Sequence, residues 1–129
     1  MKQKYMRTIS DEYKQHKMNA EFKNKIETLN IKYRDYEKIE KFLLTHDYII
    51  EYLFKAYNQI KRIFEENIVE IILEYYKDYE EDYEGLFINI KTNLSPESSL
   101  DLLEKFDEEW WLKVDFKVRS VMNIMVNTI

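Results

Sequence analysis

The densest group of reactive side chains in this sequence is Asp78-Tyr79-Glu80-Glu81-Asp82-Tyr83-Glu84. Carboxylates packed this closely can bind a hard cation, but calcium loops carry a glycine inside the turn. Here the glycine follows the cluster, at Gly85, and the D-x-[DN]-x-[DN]-G pattern is absent. The cluster reads instead as a solvated hairpin tip or a partner-binding one. A second group, Asp107-Glu108-Glu109 beside Trp110 and Trp111, has the composition of a glycosidase pocket. Consecutive helical residues point about 100° apart, so these three carboxylates do not converge. Only Glu104 with Asp107 or Glu108 shares a helix face. His16 and His46 are the only histidines, and neither has a zinc-ligand spacing or an indicated nucleophile to activate. A single glycine excludes a nucleophile elbow, a Walker loop and a dinucleotide fingerprint alike. No metal, cofactor or catalytic residue is indicated, and the chain does not read as an enzyme.

Charge is unevenly spread. Residues 1–66 carry 14 Lys and Arg against 11 Asp and Glu, whereas residues 67–129 carry 6 against 14. The first 38 residues alone hold 10 basic and 6 acidic side chains. A basic arm joined to an acidic body suits contact with a macromolecule of either sign. Tyr5, Tyr13, Tyr33 and Tyr36 interleave with Lys4, Arg7, Lys14, Lys32 and Arg34, the most nucleic-acid-like patch in the chain. The absence of cysteine removes disulfides and thiolate sites, and it fits a reducing compartment. No apolar run approaches the roughly 18 residues that span a bilayer. With no apolar leader at the N-terminus, the cytoplasm is the expected location and no membrane partner is expected.

The elements that would position these residues follow from periodicity. Residues 8–28 are polar, with a thin apolar stripe at Tyr13, Phe22, Ile26 and Leu29, and read as a marginal helix. A second helix is expected near 34–45, with Tyr36, Ile39 and Leu43 on one face. Asp47 would cap a third, 48–65, whose Ile49, Leu53, Ala56, Tyr57, Ile60 and Phe64 make a wide stripe. From Ile68 to Tyr76 the period changes to two with dense β-branching, which predicts a strand, with continuation of the helix as the alternative. Residues 77–84 form its acidic connection to a second strand, 86–92, with Leu86, Ile88 and Ile90 inward. Ser95-Pro96-Glu97 is a strong helix start, and Leu100, Leu103, Phe106 and Trp110 supply the apolar face. Residues 113–119 link outward to a last strand at 122–128. No internal repeat is visible.

At LFINIKT, SPESSLDLLEKFDEEWWL and FLLTHDYIIEYLFKAYNQIKRIFEENIVEIILEYY, the chain resembles an uncharacterised, cyanobacteria-type family of small bacterial α+β proteins. The resemblance covers roughly residues 39–129 and leaves the N-terminal arm outside. Where such relatives carry a second Glu after S-P-E, this chain has Ser98. The resemblance implies a fold and no activity.

The expected architecture is therefore α+β: N-terminal helices, then a small three-stranded sheet in the order α-α-α-β-β-α-β, with helices on one face. Residues 1–33 form a basic helical arm and 34–129 a single domain. The leading functional reading is a small acidic interaction module, of the kind that neutralises a basic toxin or nuclease as an antitoxin or immunity protein does. Its partner-binding residues would be Asp78, Glu80, Glu81, Asp82 and Tyr83 on the loop, with Lys14 and Lys17 on the arm and Arg34 at its boundary with the domain. The alternatives are a nucleic-acid regulator using the arm and a small carboxylate enzyme around Glu104, Asp107 and Glu108. An exposed edge strand would also make homodimerisation easy.

Overall fold

A computed structural model of the chain describes residues 24–25 and 28–129. The helix expected over 8–28 falls outside the described residues apart from Asn24, Lys25 and Thr28, and so do Lys14 and Lys17. Residues Ile31–Ile129 form one compact unit.

The unit opens on a strand where the sequence led us to expect the beginning of a helix. Strand β1 is Lys32–Arg34, followed by helix α1, Tyr36–Thr45. Asp35 turns the chain between them with φ 58°, a left-handed conformation that Asp tolerates better than most residues. Helix α2, Ile50–Phe64, is entered through a 3-10 turn at Asp47–Ile49, so Ile49 rather than Asp47 occupies its cap position. Strand β2 is Ile68–Asp78 and strand β3 is Tyr83–Thr92. Helix α3, Pro96–Glu109, starts as the sequence predicts, with the Ser95 hydroxyl accepting from the Ser98 amide at 3.2 Å. A short helix α4, Phe116–Arg119, precedes strand β4, Met122–Thr128.

The three-stranded sheet of the sequence reading is thus corrected to four strands in spatial order β1-β2-β3-β4. β1 lies parallel to β2, β2 antiparallel to β3, and β3 parallel to β4. Alternation works as expected in β3, where Leu86, Ile88 and Ile90 are buried and Phe87, Asn89 and Lys91 are not. Ile71 and Leu73 share that inner face through their pairing with Ile90 and Ile88. The helices cover this one face. Phe42 of α1 meets Tyr75, which pairs with Leu86, and Ser99 of α3 meets Thr92, two positions on from Ile90. With both parallel crossovers on one face and the strand direction reversed between them, one crossover is right-handed and the other left-handed. Left-handed crossovers are rare, about one in fifty.

Two departures from pattern have local causes. Helix α2 ends because Glu65 sits at φ 52°, ψ −132°, a region that glycine adopts freely and other residues avoid. Glu65→Gly should therefore raise stability by about 1 kcal/mol in urea unfolding, since it removes local strain. The inward face of α3 is rotated from the one expected: Ser99 is buried and Leu100 is 58% exposed. The Ser99 hydroxyl turns inward because it hydrogen-bonds the Thr92 hydroxyl at 2.6 Å, both residues being buried. Residues 113–119 do not run outward, since Val114 and Val118 are both in the core.

Candidate functional site

β2 and β3 extend further than periodicity suggests, and the connection between them shrinks from 77–84 to the four residues Tyr79–Asp82. The acidic residues themselves build this tight turn. One Asp78 carboxylate oxygen accepts from the Glu80 amide at 3.0 Å and from the Glu81 amide at 3.3 Å. Asp82 takes the left-handed conformation, φ 49°, that lets the chain re-enter the ladder at Tyr83. Asp78 is half-buried and committed to the turn. Glu80, Glu81 and Asp82 point into solvent, and among the described residues none forms an ion pair. Tyr79, between Asp78 and Glu80, is 83% exposed, with the Lys77 ammonium 5.1 Å from its ring centroid. Tyr83 lies on the outer sheet face and accepts from Asn123 Nδ2 at 2.9 Å.

An open groove of about 360 Å³ lies directly beside this tip. Helix α1 contributes Lys38, Lys41, Phe42 and Thr45; the hairpin contributes Tyr75, Lys77, Tyr79 and Glu84. Three lysines on its walls face a single carboxylate. Lys38 also meets Asp35 at 3.4 Å and Lys41 meets Glu37 at 3.8 Å, but these side chains are more than half exposed and such pairs are weak. The tip is acidic and aromatic, and the groove under it is basic, so the hairpin end carries both signs of charge within one short span.

Tyr75 anchors the groove floor. Its hydroxyl donates to Glu84 Oε2 at 2.6 Å. That bond, aided by burial and by the charge of Glu84, pushes the hydroxyl from its ordinary 10 up to about 12. A raised folded value means stability that is fully present below pH 10 and lost as pH climbs toward 12. Spectrophotometric titration at alkaline pH should show a phenol ionising near 12, and Tyr75→Phe should remove that component and the matching loss of stability.

The other candidate residues scatter. Arg34 is on β1, 3.5 Å from Glu74, and Lys32 stands 3.5 Å from Glu70, so both basic side chains face acids of the neighbouring strand. Their sequence assignment to a charged arm changes accordingly: they belong to the sheet. Glu104 and Glu108 are exposed; Asp107 is half-buried, and burial followed by the Glu104 charge raises its carboxyl above the usual range. His46 stacks on the Phe42 ring at 4.0 Å, with Nδ1 3.0 Å from the Phe42 carbonyl oxygen, at the end of α1. Among the described residues, no group of three or more His, Cys, Asp or Glu side chains is placed to hold a metal, and no helix is long and apolar enough to cross a membrane.

Sequence reasoning missed the lysine-walled groove altogether. Lys38 and Lys41 lie on the exposed side of α1, and only the position of that helix against the hairpin brings them to the groove. The Lys77–Glu84 cross-strand pairing was recoverable in principle, because fixing Tyr75 opposite Leu86 sets it. No family model matches the chain, and no curated protein or solved structure matches it either.

Proposed function

We propose that this protein is a non-enzymatic binding module that engages a basic protein through its hairpin end, in the manner of an antitoxin or immunity protein. The observation that carries this reading is Tyr79, 83% exposed on a turn held by Asp78 and followed in sequence by three exposed carboxylates that form no ion pair among the described residues. Tyrosine on a rigid support is a favoured anchor at interfaces. Acidic neighbours steer a basic partner toward it and hold it in register. The cysteine-free composition accords with a cytoplasmic setting. The resemblance to small bacterial α+β proteins over residues 39–129 belongs to the same proposal.

The test is retention of a partner by the immobilised full chain. A basic protein should be held in stoichiometric amount from native lysate of the source cells, and released by moderate salt. Tyr79→Ala combined with Glu80→Gln and Glu81→Gln should abolish retention while leaving the melting temperature unchanged. A partner held equally well by that variant, or no stoichiometric partner at all, would overturn the reading.

A further inference from the structure

We infer that β4 is a dimerisation edge, at which two copies of this chain join their sheets antiparallel about a two-fold axis through Met125. The two ends of the sheet are built differently. β1 is three residues long and carries Lys32 and Arg34, a short charged edge of the kind that discourages further pairing. β4 is seven residues long, MNIMVNT, and is the one strand among the described residues with no charged side chain. It has no proline, and its register with β3 runs unbroken from Met122 to Thr128. Among the described residues the strand itself carries none of the charges, prolines or bulges that blunt an edge.

The sequence of this edge suits a second copy of itself. With the axis at Met125, the middle of the strand, Ile124 falls opposite Val126 of the second copy and Asn123 opposite its Asn127. Ile124 and Val126 are half-buried on the inner face, so the pairing extends an apolar layer already present. Asn123 and Asn127 each donate one amide proton back to β3, to Tyr83 and Asn89, and keep a donor and an acceptor for their opposite numbers. A charged strand would meet its own charge across the axis; this one does not. Apolar groups flank the edge on both sides. Met125 is 38% exposed on the outer face, and Leu100, 58% exposed, borders a shallow groove of about 340 Å³ with Val126 and Thr128. The inference is independent of the hairpin reading: it uses a different edge and a contact that salt does not weaken.

Analytical ultracentrifugation of the full chain should show a species of twice 16.0 kDa that persists at high salt. Met125→Lys places two ammonium groups face to face on the axis and should weaken association about tenfold or more. Because the chain contains no cysteine, Met125→Cys creates a single thiol. Directly opposed residues of an antiparallel pair lie about 4.5–5.5 Å apart at Cα, within disulfide reach. Mild oxidation should link Met125→Cys into a covalent dimer much faster than Phe116→Cys, although position 116 is the more exposed of the two, 71% against 38%. A monomer at high micromolar concentration would overturn the inference, and would leave the edge to a strand from a different protein. So would a dimer indifferent to Met125→Lys, or equal cross-linking of the two cysteine variants.

Discussion

Gly85→Ala is expected to cost roughly 3 kcal/mol of folding stability, through overpacking at a seam that cannot open. A methyl group on this residue would lie 2.8 Å from the Val121 carbonyl oxygen and 2.7 Å from the Tyr83 hydroxyl. The hydroxyl ends a side chain that can swing aside. The carbonyl cannot, because it accepts from the Leu86 amide at 2.8 Å and leads straight into β4. The chain therefore needs its one glycine for close approach of backbone to backbone, not for an unusual φ. Adding Tyr83→Phe separates the two contacts. If the backbone contact dominates, the alanine penalty persists nearly unchanged in the Phe background. A penalty that vanishes there would assign the whole effect to the hydroxyl. Equilibrium urea unfolding, read by circular dichroism, measures both.

Phe106→Ala should destabilise still more, by roughly 3–5 kcal/mol. Phe106 is fully buried on α3. Its ring stands edge-on to Trp110 at 5.6 Å and lies nearly parallel to Trp111 at 6.5 Å, so one side chain holds the whole aromatic corner. Truncation leaves a cavity that two indoles and α2 cannot close without moving. Trp110 and Trp111 are the chain's only tryptophans, which makes this corner its fluorescence reporter. The native emission of Phe106→Ala should shift to the red, and the midpoint of thermal unfolding should fall by more than about 10 °C. Phe106→Leu, which keeps most of the volume, should lose no more than about 1.5 kcal/mol. Equal losses for Leu and Ala would argue against the cavity mechanism.

How far the sequence could be read depended on whether an element shows its own period. β3 does: Leu86, Ile88 and Ile90 are buried and alternate with Phe87, Asn89 and Lys91, which are not. α2 does so too, with a stripe wide enough to face both the sheet and a neighbouring helix. β1 does not. Lys32-Tyr33-Arg34 is too short for a period, and it becomes a strand because Ile72–Glu74 offers it an edge some forty residues away. The rotated face of α3 was hidden for a different reason. A serine counts as polar in any pattern, yet Ser99 goes inward because Thr92 is there to meet it. Of the site, the acidic tip was legible as a run of carboxylates. The tightness of its turn depends on Asp78 and the conformation of Asp82, and the groove depends on where α1 docks; neither is a property of a local run.

The opposed hands of the two crossovers bear on the internal symmetry of the unit. On paper the unit looks like one strand–helix–strand module copied twice and joined by a hairpin. Duplication would yield two halves of the same chirality that superpose on rotation. These halves are mirror-related in their path and cannot be superposed that way. Superposing residues 83–128 on 32–78 strand for strand therefore leaves the helices of the two halves on opposite faces of the sheet.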